Sequence, residues 1–258
     1  MYKLKKIKIE LLIVAATLIG AMCLFSSNLK AELNIDSLKK AMGYYRVDDF
    51  REGMARVFDY VRGSNHYWFI DKEGKEYWKE RNYSLAGEFY EGMARVEKDG
   101  IMFFIDKEGN EYWKDRKYIS VGSFREGMAW VRNPIFHYWF IDKNGTEYWK
   151  ERNYNGANDF LEGMAPVQQD LISFFIDKEG TEYWKERKYK DAWNFRNGWA
   201  NVGKGNYWWY IDKEGNEYLK EKEYDLAYPF NSEGLARVTK DFKTFIINKQ
   251  GEIIKILK

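Results

Sequence analysis

Phe50-Arg51-Glu52-Gly53-Met54-Ala55-Arg56-Val57 is the first of six copies of one segment in this chain of 258 residues. Each copy is followed by a turn segment of the type Ile-Asp-Lys-Glu-Gly, and then by a segment like the one from Glu76 to Tyr83. Self-similarity at a period of 35 to 36 residues is the signature of a repeat architecture. The later copies begin at Phe89, Phe124, Phe160, Phe195 and Phe230.

Each unit reads as three short antiparallel strands. Met54-Ala55-Arg56-Val57 alternates, which places Ala55 and Val57 on one face. The stretch 67–70 is aromatic and β-branched like a buried strand, 71–74 is typical of a turn, and 76–79 reads as a return strand. A unit of this size cannot bury its own apolar faces, so neighbouring units must stack. We therefore expect an all-β fold built as an open twisted array, with a closed six-bladed propeller-like ring as the alternative.

The repeats occupy most of the chain. We divide it into a signal peptide or anchor over 1–31, a lead-in over 32–44 and repeats over 45–258. The lead-in includes a predicted short helix from Ser37 to Met42. The approximate unit bounds are 45–83, 84–118, 119–154, 155–189, 190–224 and 225–258.

The N-terminus has the pattern of a secretory signal. Four lysines precede an apolar run from Leu11 to Phe25, which is too short for a comfortable membrane span, and cleavage after Ala31 is predicted. An uncleaved anchor and lipidation at Cys23 remain alternatives. We expect export to the periplasm, the cell surface or the medium, with membrane contact only through this segment.

Composition excludes several classes of function. Cleavage after Ala31 removes five lysines and Glu10, which leaves 37 basic and 39 acidic residues. A near-neutral domain has no electrostatic footprint for nucleic acid. The remaining chain has no cysteine and two histidines, so we expect neither disulfides, nor a metal site, nor a cofactor.

The repeated segments resemble the WG-repeat (WG containing beta repeat) family of bacterial proteins. The resemblance rests on Phe-x-Glu-Gly-[Met/Leu]-Ala-x-Val followed by an aromatic residue and Ile-Asp-Lys-x-Gly, and it covers all six units. It implies an all-β repeat array in the cell envelope that acts by binding. The family has no established catalytic residues, so none is carried over to this chain.

No catalytic motif interrupts the repeats. The chain has no Gly-x-Ser-x-Gly elbow, phosphate-binding loop or His-Glu-x-x-His pattern. His66 and His137 share one position in different units, which is typical of a repeat feature. Paired carboxylates for glycoside hydrolysis stay an alternative, but the acidic residues recur as turns and strand ends. We expect a non-enzymatic protein with no catalytic residues.

Two rows of side chains are candidate binding surfaces. The first lies opposite the Ala/Val face, varies between units, and is either a protein-binding surface or a solvated strand face. Its members are Arg56, Arg95, Trp130, Pro166, Asn201 and Arg237.

The second row is an aromatic ladder that lapses in the last two units. Outward rings could stack on cell-wall glycans or enclose a choline-type ammonium group, and the alternative is that the rings pack between units. Its tryptophans are Trp78, Trp113, Trp149 and Trp184. The function we expect is therefore an exported scaffold for an unknown protein partner, with envelope glycan binding as the alternative.

Overall fold

The computed structural model describes residues 39–40, 42–61 and 63–257. The predicted signal or anchor, with Cys23, and the start of the lead-in lie outside the described residues. Lys39, Lys40 and Met42 are helical, within the helix predicted for 37–42.

The described chain forms six separate antiparallel sheets of four strands each, which we number 1 to 6. Sheets 1 to 3 consist of β1 (Arg46–Val47), β2 (Met54–Val61), β3 (Ser64–Asp71), β4 (Glu76–Tyr77), β5 (Leu85–Ala86), β6 (Met93–Lys98), β7 (Ile101–Asp106), β8 (Glu111–Tyr112), β9 (Ser120–Val121), β10 (Met128–Arg132), β11 (Tyr138–Asp142) and β12 (Glu147–Tyr148). Sheets 4 to 6 consist of β13 (Gly156–Ala157), β14 (Met164–Gln169), β15 (Ile172–Asp177), β16 (Glu182–Tyr183), β17 (Asp191–Ala192), β18 (Trp199–Lys204), β19 (Tyr207–Asp212), β20 (Glu217–Tyr218), β21 (Leu226–Ala227), β22 (Leu235–Lys240), β23 (Lys243–Asn248) and β24 (Ile253–Leu257). Five short 3₁₀ helices connect the sheets, at Lys79–Arg81, Lys114–Arg116, Lys150–Arg152, Lys185–Arg187 and Lys220–Lys222.

The prediction of about three strands per unit was wrong, because each sheet has four. The additional strand is the first of each sheet, and it is only two residues long. In sheet 2, for example, Leu85 and Ala86 of β5 pair with Glu97 and Val96 of β6. A two-residue strand has no alternation for a sequence pattern to reveal. Four strands are also the usual content of a propeller blade.

Each internal sheet buries both of its faces against its neighbours. In β7, Phe103 faces back towards sheet 1 and packs with Phe69, whereas Phe104 faces forward and packs with Phe124 of sheet 3. Successive residues of a strand point to opposite faces, so the adjacent aromatics serve two different interfaces. We call these the trailing face and the leading face of a sheet.

The six sheets form an open series. Five buried apolar clusters each combine residues of two consecutive sheets, and a sixth contains only Tyr44 and residues of sheet 1. Among the described residues, no buried cluster, side-chain hydrogen bond or ion pair links sheet 6 to sheet 1. The open array, rather than the closed ring, agrees with these contacts.

Each sheet has two different ends. The turn end carries the Asp-Lys-Glu-Gly turns between the third and fourth strands, such as 71–74. The hairpin end carries the connections between the second and third strands, such as 99–100 in sheet 2. Because all the sheets repeat one topology, each end presents an equivalent loop from every sheet.

Candidate functional site

The ladder tryptophans lie between consecutive sheets. Trp78 leaves β4 in the left-handed conformation, with φ of 57°, and its ring packs 5.7 Å from Phe69 and 6.3 Å from Phe89 of the next sheet. The ring also covers Gly109, where a Cβ would lie 2.2 Å from the indole nitrogen. Arg81 then donates a hydrogen bond of 2.7 Å to the Gly109 carbonyl. The same pairing recurs as Trp113 on Gly145, Trp149 on Gly180, Trp184 on Gly215 and Leu219 on Gly251.

These positions bear directly on the ladder hypothesis. All four tryptophans are half-buried. Their rings pack between units, which is the alternative to an outward row that binds glycans or choline. An outward row of stacking rings is not what the structure shows. The physical reason is the left-handed backbone conformation at each tryptophan. Because of it, the side chain does not point to either face of the strand and packs instead on the turn glycine of the next sheet.

The row opposite the Ala/Val face also lies largely in the interfaces. Arg56 and Arg95 are half-buried and donate hydrogen bonds to Ala86 and Val121, carbonyl groups of the next sheet's first strand. Asn201 is 1% exposed and donates to the Ala227 carbonyl at 2.9 Å.

Burial of the remaining members of this row also depends on whether another described sheet covers them. Trp130 is half-buried, Pro166 is buried, and Arg237 alone is exposed, on the face of sheet 6 against which no described sheet packs. The expectation of an exposed row was therefore wrong, since the face opposite Ala and Val is covered by the next sheet. Sequence alternation identifies two faces but does not tell which of them meets solvent.

A repeated glutamate, not singled out from the sequence, joins consecutive sheets at the turn end. The carboxylate of Glu52 accepts hydrogen bonds from the backbone N–H groups of Glu91 and Gly92 and pairs with Lys107 at 3.2 Å. Equivalent ion pairs join Glu91 to Lys143, Glu126 to Lys178 and Glu162 to Lys213. The signal was present in the sequence, because Glu precedes the glycine in five of the six copies and Asn197 replaces it in the other.

The hairpin end differs chemically from the turn end. Its loops vary from sheet to sheet, and the loops or the adjoining strand ends carry large apolar side chains in every sheet except the second. These exposed residues are Tyr60, Ile135, Phe136, Leu171, Tyr207 and Phe242. The turn end, by contrast, repeats one charged sequence.

Three of these apolar residues occupy strained backbone positions. Phe136, Leu171 and Phe242 have φ of 65°, 65° and 63°, in the left-handed region that glycine favours. Their exposed fractions are 61%, 83% and 104%. The Arg132 guanidinium lies 5.0 Å from the centre of the Phe136 ring, and none of the three side chains belongs to a buried apolar cluster of the described chain. In sheet 2 the same hairpin position is Gly100, with φ of 75°. A left-handed residue with a side chain costs about 1–2 kcal/mol, and such strain concentrates at functional sites.

Other features of the described residues are less specific. A polar cleft of about 520 Å³ lies between sheets 3 and 4, with His137, Arg152, Gln169, Glu182 and Lys185 among its lining residues and no Trp, Tyr or Phe. The part of the chain that the structure describes has no group of three or more His, Cys, Asp or Glu side chains placed to hold a metal ion. No helix within the described ranges is long and apolar enough to cross a membrane.

The fold and the interfaces define a class of all-β repeat proteins with propeller-like sheets. The pattern described as the WG containing repeat matches residues 69–100, 102–133, 140–170, 174–208 and 210–243. These segments cover more than half of the chain, which belongs to the WG-repeat family. Each segment runs from the third strand of one sheet into the next sheet, so the family pattern spans the five interfaces between sheets. No curated protein matches the sequence.

Three solved structures of low sequence identity are similar to this chain. BamB from Moraxella catarrhalis is 12% identical, with a TM-score of 0.50 over 81% of this chain and 74% of that chain. The AfRom2 CNH domain is 8% identical, with a TM-score of 0.45 over 83% of this chain and 84% of that chain. The WD40 domain of Neurospora crassa Pan2 is 9% identical, with a TM-score of 0.40 over 80% and 75%. The likeness to BamB supports the fold and nothing further.

Proposed function

We propose that this chain is a protein-interaction scaffold whose hairpin end is the binding surface. The observation that carries the proposal is the set of exposed apolar side chains at strained positions, namely Phe136, Leu171 and Phe242. Because glycine would relieve the strain, the retained side chains are explained by contact with a partner. Large apolar residues in variable loops on a repeated framework are typical of protein-binding surfaces.

The interfaces between sheets support this assignment indirectly. The residues first considered for binding, such as Arg56 and Trp78, are engaged with the next sheet and hold the framework together. The turn end is uniform and charged. The hairpin end therefore combines variation, exposure and apolar character in five of the six sheets, whereas the exposed isoleucines Ile253, Ile254 and Ile256 belong to sheet 6 alone.

The proposal includes no catalytic step and places the protein outside the cytoplasm. Export follows from the signal-like N-terminus, and N-terminal sequencing of the protein recovered from the envelope or the medium tests it. A mature chain that begins at Glu32 is the expected result. A protein that starts at Met1 and stays in the cytoplasm would contradict export.

A capture experiment tests the binding surface. The purified chain is cross-linked in an envelope extract of the producing cell, alongside a variant with Phe136→Gly, Leu171→Gly and Phe242→Gly. We expect a defined protein to be captured by the original chain and lost with the triple variant. Trp193→Ser is the matched control, because Trp193 is an exposed aromatic residue, 51% accessible, that does not belong to a hairpin connection.

The same experiment separates protein from glycan binding. A parallel extract is treated with protease before the chain is added. Loss of capture after this treatment supports a protein partner. Retention on protease-treated wall material would instead support the glycan alternative, although the rings of Trp78, Trp113 and Trp149 are occupied by the next sheet.

A further inference from the structure

One aromatic position of the third strand alternates between tryptophan and phenylalanine along the chain. It lies three residues before the turn between the third and fourth strands. Sheets 1, 3 and 5 have Trp68, Trp139 and Trp209 there, and sheets 2, 4 and 6 have phenylalanine. The tryptophans are 2%, 3% and 4% exposed, and Phe103 and Phe174 are fully buried at the same position. Phenylalanine therefore satisfies the packing requirement of this position.

The tryptophans differ from the phenylalanines by a polar atom that has no partner. The indole nitrogens of Trp68, Trp139 and Trp209 are buried, and none donates a hydrogen bond to a described residue. A buried donor without a partner costs free energy, because its hydrogen bond to water is lost and not replaced. Since phenylalanine fills the same place in the other sheets, packing does not explain why these three indole groups are present.

A hydrogen bond follows the same alternation. The hydroxyl of Tyr118 donates to the Glu147 carboxylate at 3.0 Å, beside Trp139. The equivalent hydrogen bonds in sheets 1 and 5 measure 2.7 and 3.0 Å. In sheets 2 and 4, the equivalent tyrosine makes no described hydrogen bond with the glutamate and is bonded only to an arginine. The tryptophan sheets therefore share a polar arrangement that the phenylalanine sheets lack.

Beside Trp139, this arrangement borders an open cleft of about 640 Å³ between sheets 2 and 3. The lining is largely polar and includes Arg116, Asn133, Glu147 and Lys150. Arg116 uses only Nη1 in its described hydrogen bonds, and the side-chain oxygen of Asn133 accepts two whereas its NH₂ group has no described partner. The cleft thus has free donors in addition to the Trp139 N–H.

The main acceptor in the cleft is the Glu147 carboxylate. Partial burial raises the pKa of this carboxyl, but hydrogen bonds from Lys150, at 2.8 Å, and from Tyr118 outweigh burial, and the pKa lies below its ordinary value. The Trp139 N–H contributes to this lowering and so lies beside the carboxylate, yet the two form no hydrogen bond. A buried donor and an ionised acceptor therefore lie side by side without satisfying each other.

The chemistry of a fitting ligand follows from this pair of groups. A group that contacts both must accept a hydrogen bond from the indole N–H and donate one to the carboxylate. A hydroxyl does both, whereas an oxyanion cannot donate and an ammonium group cannot accept. The free donors of Arg116 and Asn133 provide contacts for further hydroxyl oxygens. A ligand with several hydroxyl groups therefore satisfies more of the cleft than a single hydroxyl does.

We propose that the cleft between sheets 2 and 3 binds a saccharide, one hydroxyl of which accepts from the Trp139 N–H and donates to the Glu147 carboxylate. Lys150 lies 5.0 Å from the centre of the indole ring and is 57% exposed, and binding requires this side chain to turn outward. Trp68 and Trp209 mark equivalent positions two sheets away on either side, which suits a ligand with repeating hydroxyl groups. The site goes beyond the protein-binding role proposed for the apolar hairpin residues.

The indole N–H signals in a ¹H–¹⁵N NMR spectrum of the full chain test this site. Trp139→Phe assigns the Trp139 signal, and this variant should fold because Phe103 and Phe174 occupy the same position in sheets 2 and 4. Glucose, galactose and N-acetylglucosamine are the probes, each titrated separately. We expect at least one of them to shift the Trp139 signal in a saturable way and to leave the signal of the exposed Trp193 unchanged.

Two other results would overturn the inference. No shift of the Trp139 signal with any of the three sugars would mean that the indole N–H contacts water only. A shift with a serine-containing peptide but with no sugar would assign the hydroxyl to a protein partner instead. The sugar titration is repeated on the triple variant Phe136→Gly, Leu171→Gly and Phe242→Gly, which should still bind the sugar. Failure of this site is thereby distinguished from failure of the hairpin surface.

A matched pair of glutamate variants tests the acceptor. Glu147→Gln should raise the sugar concentration at half of the Trp139 shift about tenfold, because the hydrogen bond to a charged oxygen is lost. Glu182→Gln is the control, since Glu182 holds the equivalent position in sheet 4, where phenylalanine replaces the tryptophan. Equal effects of the two substitutions would contradict the role of Glu147.

Discussion

At the scale of single residues, positions with a left-handed backbone conformation are of two kinds, which have different physical causes. The turn glycines, such as Gly145, need both a positive φ and an absent side chain, because Trp113 lies where a Cβ would be. The hairpin positions of Leu171 and Phe242 have a positive φ but keep a large side chain in solvent. The first kind is explained by packing, and the second is explained by the proposed partner.

The strain at Leu171 is measurable. We expect Leu171→Gly to raise the free energy of unfolding by about 1 kcal/mol, because glycine adopts φ near 65° without a steric penalty. Urea denaturation measures the change. Leu85→Gly is the control, since Leu85 is 37% exposed and lies in a strand with ordinary φ, so glycine should be destabilising there. Destabilisation by both substitutions would show that the Leu171 backbone is unstrained.

The packing of tryptophan on a turn glycine is tested by a matched pair of substitutions. Gly145→Ala and Gly127→Ala share nearly the same φ, 79° and 85°, but only Gly145 lies under an indole ring. Both should destabilise, and Gly145→Ala should cost about 1–3 kcal/mol more, because it overpacks the interface. Chemical denaturation distinguishes them. Equal costs would mean that Trp113 moves aside freely.

At the scale of the element, the glutamate contacts make the interfaces sensitive to acid. Partial burial by itself raises the pKa of the Glu52 carboxyl, but the Gly92 N–H and the Lys107 ammonium outweigh it, and the pKa lies below its ordinary value. A carboxyl whose pKa is lowered by folding stabilises the fold above its unfolded pKa, and this contribution is lost as pH falls through the folded pKa. We expect thermal melts below about pH 4.5 to show falling stability.

Substitution isolates the contribution of this carboxyl. Glu52→Gln should be less stable than the original chain at pH 7, and the difference should narrow as the pH is lowered towards 3. Glu80→Gln is the control, because the Glu80 side chain makes no described ion pair or hydrogen bond. A stability difference that is independent of pH would contradict the role of the charge.

The strands with alternating apolar and polar residues, or with several aromatic residues, were predictable from the sequence. The two-residue first strands were missed, because they are too short to show either pattern. The six units, the turns and the Ala/Val face follow from repeats and turn chemistry. The two-residue strand Leu85–Ala86 carries no pattern, and the burial of Arg56 depends on a neighbouring sheet that periodicity does not describe. The hairpin signal was readable, because Asp170-Leu171 stands where Asp99-Gly100 shows the favoured turn sequence.

At the scale of the whole molecule, stability and binding belong to different parts of the chain. The interfaces between sheets use the trailing and leading faces and the turn end. The hairpin end is left for partners. These assignments explain why the two rows chosen from the sequence lie mostly inside the molecule.

The most direct test measures stability and capture on the same samples of two variants. The triple variant Phe136→Gly, Leu171→Gly and Phe242→Gly should be at least as stable as the original chain and should lose its captured partner. Gly145→Ala should be less stable and should keep that partner at temperatures below its unfolding transition. The opposite pattern, with capture retained by the triple variant and lost by folded Gly145→Ala, would contradict the assignment of binding to the hairpin end.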